Sequence, residues 1–178
     1  YILKYCNINQ MLVPICYFLL ESRKDPSKLG LMYLCTFTLL KISGERNFGV
    51  ALNQPYFLRL PVDVPLFSGT HADLLIVTLH KLIVSGIDRL SALYNCFLTI
   101  ICNISPYTKV LSSVSSVKLV NLFQLFTSPR CFGKCFCTSF FNFCVCKVSL
   151  ALIIFGILID DGSFFLLSSS KLHFPPFG

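Results

Sequence analysis

Apolar residues recur along this chain in long blocks separated by short polar breaks. Residues 10–21 form the first block, with few helix breakers, and Pro14 falls near its first turn, where proline is better tolerated than in a helix interior. The break "SRKDPSK" reads as a turn. Residues 29–43 form a second block, apolar nearly all round and stopped by Gly44, as suits a helix buried on several sides. Over 44–69 the pattern fails. Pro55, Pro61 and Pro65 alternate there with Gly44, Gly49, Gly69 and short pieces such as Phe57-Leu58-Arg59-Leu60, which predicts a long irregular loop or extended excursion and no helix.

Order returns at Thr70-His71-Ala72-Asp73, a capping box with Asp in place of Glu. The helix it opens is expected to run to Ser85, with Gly86 as its stop. Residues 88–103 predict the next helix, with Leu90, Leu93, Tyr94, Phe97, Leu98 and Ile101 on one face. Ser105 then reads as an N-cap with Pro106 at the first helical position, and a last helix is expected over 114–127, ahead of Ser128-Pro129. Helices joined by short turns predict an all-α fold of antiparallel pairs. The 70–103 unit has about the size of one repeat of an armadillo- or HEAT-like α-solenoid, although no residue-level repeat is present.

Composition sharpens this picture. In 178 residues, 54% are hydrophobic and the mean hydropathy is +0.73, above the roughly 45–50% apolar content of free-standing soluble domains. Either the chain crosses a membrane, or it is a piece of a larger helical protein whose faces await neighbours. The first residue is Tyr1 and the first methionine Met11, so a fragment of poor solubility is expected. The net charge of +7 comes from cations scattered singly, the densest group being Arg23, Lys24 and Lys28. Nucleic-acid binding needs a clustered stripe, so that class is set aside, leaving weak attraction to an anionic membrane surface. Cys6, Cys16, Cys35, Cys96 and Cys102 sit inside apolar stretches, and no signal-peptide order opens the chain, which points to a reducing, cytosol-facing environment.

Past Arg130 the character changes. "CFGKCFCTSFFNFCVC", residues 131–146, holds half of the ten cysteines, spaced C-x3-C-x-C-x6-C-x-C. Zinc knuckles use C-x2-C or C-x4-C bites, so a zinc-binding tail is the weaker reading and an apolar segment without a folding role the stronger. The uncharged run 148–159 is shorter than the roughly 20 residues of a membrane span. A membrane anchor over about 135–159 stays open as an alternative.

Catalytic signals are absent. His71, Asp73, His80 and Ser85 invite a hydrolase, yet no G-x-S-x-G elbow is present, and on one helix His71 and Ser85 lie four turns apart. No P-loop, dinucleotide fingerprint or H-E-x-x-H occurs. No enzyme, cofactor, metal or small-molecule substrate is expected. The most distinctive polar stretch is Ser43-Gly44-Glu45-Arg46-Asn47-Phe48-Gly49. Its glycines permit tight turns, and its Glu45, Arg46 and Asn47 can fix a loop or face a partner.

That stretch also carries a resemblance. "LLKISGERNFGVALNQPY" (39–56), "LPVDVPLFSGTHADLLIVTLHKLIVSG" (60–86) and "LTIICNISPYTKVLSSVSSVKLVNLFQLF" (98–126), with "QMLVPICYFL" (10–19) before them, resemble the high-temperature-induced dauer-formation (Hid-type) family, distantly related to dymeclin. The resemblance covers 10–130, so the flanks 1–9 and 131–178 are expected to lie outside the native domain, as translated non-coding sequence or a faulty gene model. It implies a large, helical, non-enzymatic protein of the cytoplasm, peripheral on Golgi and trans-Golgi membranes. Such proteins work with partners of the trafficking machinery and sort cargo to dense-core secretory vesicles. The family's N-terminal myristoyl glycine has no counterpart here. Gly44, Glu45, Arg46 and Asn47, with the capping group Thr70, His71 and Asp73, match the family pattern and are expected to be structural or partner-facing.

Overall fold

The structure, a computed structural model, describes residues 8–56, 69–86 and 90–127. Among these, six α-helices follow one another: α1 Ile8–Ser22, α2 Leu29–Ser43, α3 Arg46–Ala51, α4 His71–Ser85, α5 Tyr94–Ile104 and α6 Ser113–Thr127. Two short strands, β1 Pro55–Tyr56 and β2 Gly69–Thr70, pair antiparallel with Pro55 opposite Thr70 and Tyr56 opposite Gly69. The fold is all-α, and helices pack against helices throughout.

The hydrophobic pattern explains most of this. α2 has the bounds its apolar block predicts, with Met32, Cys35, Thr36, Leu39, Ile42 and Ser43 buried. A 3-10 turn, Pro26–Lys28, links it to α1. The Asp25 carboxylate caps that turn by accepting from Ser27 N–H at 2.9 Å, and hydrogen bonds from Ser27 hold the Asp25 carboxyl below its usual range. The six apolar positions predicted for the 88–103 helix are all buried, but the α-helix starts only at Tyr94: Ser91–Leu93 form a 3-10 turn, Leu90 precedes it, and 87–89 lie outside the described residues.

α4 is the centre of the described residues. Every residue from His71 to His80 is buried, and the helix packs against α1 and α6, with α5 alongside. α2 in turn lies between α1 and α5. A single apolar cluster joins Leu12, Leu19, Leu39, Phe48, Leu75, Leu79, Phe97 and Leu122. Burial on all sides is why α4 reads as a continuous hydrophobic run.

Three further expectations need correction. The long irregular loop at 44–69 contains a helix, α3, and its ends are tied by the β1–β2 pair. Tertiary packing makes α3: Phe48 is fully buried, Gly49 is buried, and the helix leans on the 3-10 turn Ser105–Tyr107. A six-residue helix has too few turns to show a period, and contacts from elsewhere override its weak propensity. Residues 57–68 of that loop lie outside the described residues.

Ser105 does not start a new α-helix. Its φ of −54° and ψ of −40° continue α5, and its hydroxyl bonds back to the Cys102 carbonyl at 2.9 Å. Pro106 therefore sits in a single 3-10 turn. α1 begins at Ile8, which places Pro14 in the helix interior. Gln10 and Pro14 are both exposed, so water can reach the carbonyl that proline leaves without a donor.

Candidate functional site

The first turn of any helix leaves four N–H groups without helical partners. At the start of α4 three of them are satisfied, each by a different group. His71 N–H donates to the Gln54 carbonyl at 3.1 Å, Ala72 N–H to the Leu52 carbonyl at 3.0 Å, and Asp73 N–H to Thr70 Oγ1 at 3.4 Å. The capping box is complete, since Thr70 N–H donates to Asp73 Oδ2 at 2.7 Å. The Thr70 hydroxyl also donates to Oδ2, at 3.0 Å.

The other carboxylate oxygen serves a second helix. Ser112 N–H and Ser112 Oγ donate to Asp73 Oδ1 at 2.8 and 2.9 Å, and Ser112 Oγ accepts from Ser115 N–H in the first turn of α6 at 3.3 Å. In a capping box the acid three residues into the helix closes the N-cap N–H. Asp73 performs that service for its own helix and, from α4, for α6. The side chain is buried at 1% exposure with four donors around it, which is how a buried carboxylate is sustained. Its negative charge also faces the positive ends of two helix dipoles.

His71 is buried beside it. Its Nδ1 lies 2.9 Å from the Gln54 carbonyl, an acceptor, so Nδ1 carries the proton. The ring meets Tyr56 edge-on at 5.5 Å and 82°. That nitrogen is occupied in positioning the β1 segment.

The polar stretch at 43–49 divides into two parts. Its buried members join elements: Asn103 Nδ2 donates to Ser43 Oγ at 3.0 Å, tying α5 to the end of α2, and Gly49 faces the Tyr107 ring so closely that a Cβ there would overlap it. Asn53, just beyond, extends the joint by donating to the Tyr107 carbonyl at 2.8 Å and accepting from Lys109 N–H at 2.9 Å. The outer members differ. Glu45, Arg46 and Asn47 are exposed, and among the described residues their side chains make no hydrogen bond. Gly44 has an ordinary right-handed conformation, φ −71° and ψ −11°, and a Cβ there would make only an ordinary contact, 3.7 Å from the Lys41 carbonyl oxygen.

The structure thus brings Thr70, His71 and Asp73 into one joint with the 52–54 and 112–115 segments. It leaves Gly44, Glu45, Arg46 and Asn47 on the surface at the α2–α3 corner. Asn53, Tyr107 and Ser112 belong to the joint and Asn103 to the α2–α5 contact, and none of them was singled out in the sequence. The N-I-S-P-Y stretch contains two of them, and Ser112 with Ser115 has the three-residue spacing of a helix cap.

Among the remaining groups of chemical interest, His80 and Cys16 are buried and Ser85 is exposed. Burial, with Lys118 as a second cause, pushes His80 down to about 4, and burial pushes the Cys16 thiol up to about 12. A thiol raised in this way is a poor nucleophile. Ser85, the fourth residue of the hydrolase reading, donates its hydroxyl to the Lys81 carbonyl at 2.6 Å. Among the described residues no cluster of ligating side chains could hold a metal ion, and no helix is long and apolar enough to cross a membrane. The 131–146 cysteine cluster and the 135–159 segment lie outside the described residues.

Fold and joint together define a class: a helical packing module whose buried polar side chains lock helix ends to one another. The chain belongs to the dymeclin family, whose family model, described as "Dymeclin: Dyggve-Melchior-Clausen syndrome protein", matches residues 1–132. That span takes in residues 1–9 and stops two residues beyond Arg130. Within the family it is of the Hid type, being 53% identical over 128 residues to Protein HID1 of Mus musculus and 52% identical over the same length to that of Homo sapiens. Each match covers 72% of this chain, and the chain spans 16% of the length of those relatives. It is also 30% identical over 127 residues to the Ubp5-interacting protein ftp105 of Schizosaccharomyces pombe, covering 68% of this chain and 14% of that protein. No solved structure matches.

Proposed function

We propose that the chain is part of a non-enzymatic helical scaffold of solenoid type. It would be cytoplasmic, peripheral on Golgi and trans-Golgi membranes, and active in vesicle traffic, including the sorting of cargo to dense-core vesicles. The observation that carries this reading is the 53% identity to mouse Protein HID1 across the segment that holds the joint. Two further observations support it. The buried polar side chains at the joint hold elements together, as a scaffold requires. One relative is named for a protein it interacts with, which accords with a role exerted through protein contacts.

The test is localisation followed by carbonate extraction. Epitope-tagged chain should overlap a trans-Golgi marker, sediment with membranes and be released at high pH. Retention in the carbonate pellet would instead favour an integral anchor at 135–159. A diffuse distribution without membrane sedimentation would overturn the scaffold reading. Stoichiometric zinc in purified chain would favour the zinc-binding tail.

A further inference from the structure

The outer face of α2 is apolar where a solvent-facing helix should be polar. Leu34 is 64% exposed and Phe37 52%, with Leu29 and Leu31 also exposed. No charged residue occurs from Leu29 to Leu40, about three turns. Gly30, Leu34, Phe37 and Lys41 recur at intervals of four, three and four, the spacing of a helix–helix seam. A Cβ on Gly30 would meet nothing within 4 Å, so the near end of the seam is open to another backbone. Tyr33 leans on Phe37 with ring centroids 6.0 Å apart, which broadens the stripe. The opposite face of the same helix is core.

We propose that this stripe seats a further helix of Hid-type sequence, one lying outside the 128 residues shared with the mouse relative. The relatives have ample sequence from which such a helix can come. The matched segment is 16% of their length, so each relative's molecule carries much more sequence tethered to this face. Tethering gives a high effective concentration and makes an intramolecular neighbour the favoured one. A lipid surface fits less well. Interfacial helices oppose their apolar face with a strongly charged one, and α2 opposes its stripe with core, leaving charge only at Lys28 and Lys41 on its ends. The seat concerns assembly of the fold and does not depend on the trafficking reading.

The experiment places a photo-crosslinking amino acid in full-length mouse Protein HID1 at the position aligned with Leu34, and a control at the position aligned with Glu45. Irradiation at low protein concentration, with and without anionic vesicles, precedes peptide mapping. The expected product is an intramolecular link from the Leu34 position to sequence outside the matched segment, several-fold above the control. Links to lipid, to a differently tagged second copy, to another protein, or no link above the control would overturn the proposal. In the present chain, Leu34→Gln with Phe37→Gln should raise the monodisperse fraction several-fold while leaving the melting temperature within a few degrees. A collapse of the melting temperature would show that the stripe is already covered within this chain, and would equally overturn the proposal.

Discussion

Replacing Asp73 with alanine withdraws one acceptor group from four donors, two of them the N–H groups of Thr70 and Ser112. Buried donors left without partners cost roughly 1–3 kcal/mol each, so D73A should lower stability by about 3 kcal/mol in urea unfolding. Thr70→Ala, which removes only the local cap, should cost about 1 kcal/mol. A double-mutant cycle between Asp73 and Ser112 should show coupling, because the pair shares a joint. Its local half was legible in the sequence, since Thr70 and Asp73 stand three residues apart. Its distant half was not: Ser112 is 39 residues away from Asp73, and Lys109 is 56 from the Asn53 that accepts its N–H. Spacing rules reach along one helix, not between two. His80 sets the pH behaviour at this scale. Its folded value of about 4 lies below the ordinary 6.5. Between those values the unfolded chain binds a proton that the folded chain refuses, so stability is full above about 6.5 and falls as pH drops toward 4. His80→Gln should flatten that slope in denaturation curves measured across the window.

At the scale of elements, α2 and α4 were legible because each combines a long apolar run with a stop or a cap encoded nearby. α3 was hidden because what stabilises it is the Tyr107 turn, not its own sequence. Gly49 records that dependence. Its value is the absence of a side chain beneath the Tyr107 ring, so Gly49→Ala should destabilise the chain by about 1–3 kcal/mol through forced displacement of that ring. In the Tyr107→Gly background, which also removes the Tyr107 Cβ 2.9 Å from the Cβ position of residue 49, the same substitution should cost much less, and equal costs in both backgrounds would place the strain elsewhere. The Ser105-Pro106 misreading has a related origin. Serine before proline opens helices, yet here the serine hydroxyl finds a carbonyl behind it and extends α5 instead.

For the whole molecule, the decisive feature is that, among the described residues, one central helix joins three others. α4 packs on α1, α5 and α6, and its polar start is bonded to both the 52–54 segment and α6. Such an arrangement means that α1, α5 and α6 cannot lose their packing on α4 without α4 losing its own, while α2 packs on α1 and α5. Leu79→Ala, at a site with no solvent exposure in the middle of α4, should therefore cost about 2–5 kcal/mol. It should also shift helicity and a probe at the α1–α2 hairpin by the same amount. Leu34→Ala, on the exposed stripe, should move stability by less than about 0.5 kcal/mol. Amide exchange gives the sharper reading. Protection should be greatest in α4 and should fall in parallel across α1, α5 and α6 when Leu79 is truncated, because all of them open with it. If α6 kept its protection while α1 lost it, the molecule would be two units meeting at α4, and the Asp73 joint would be a hinge between them instead of a lock.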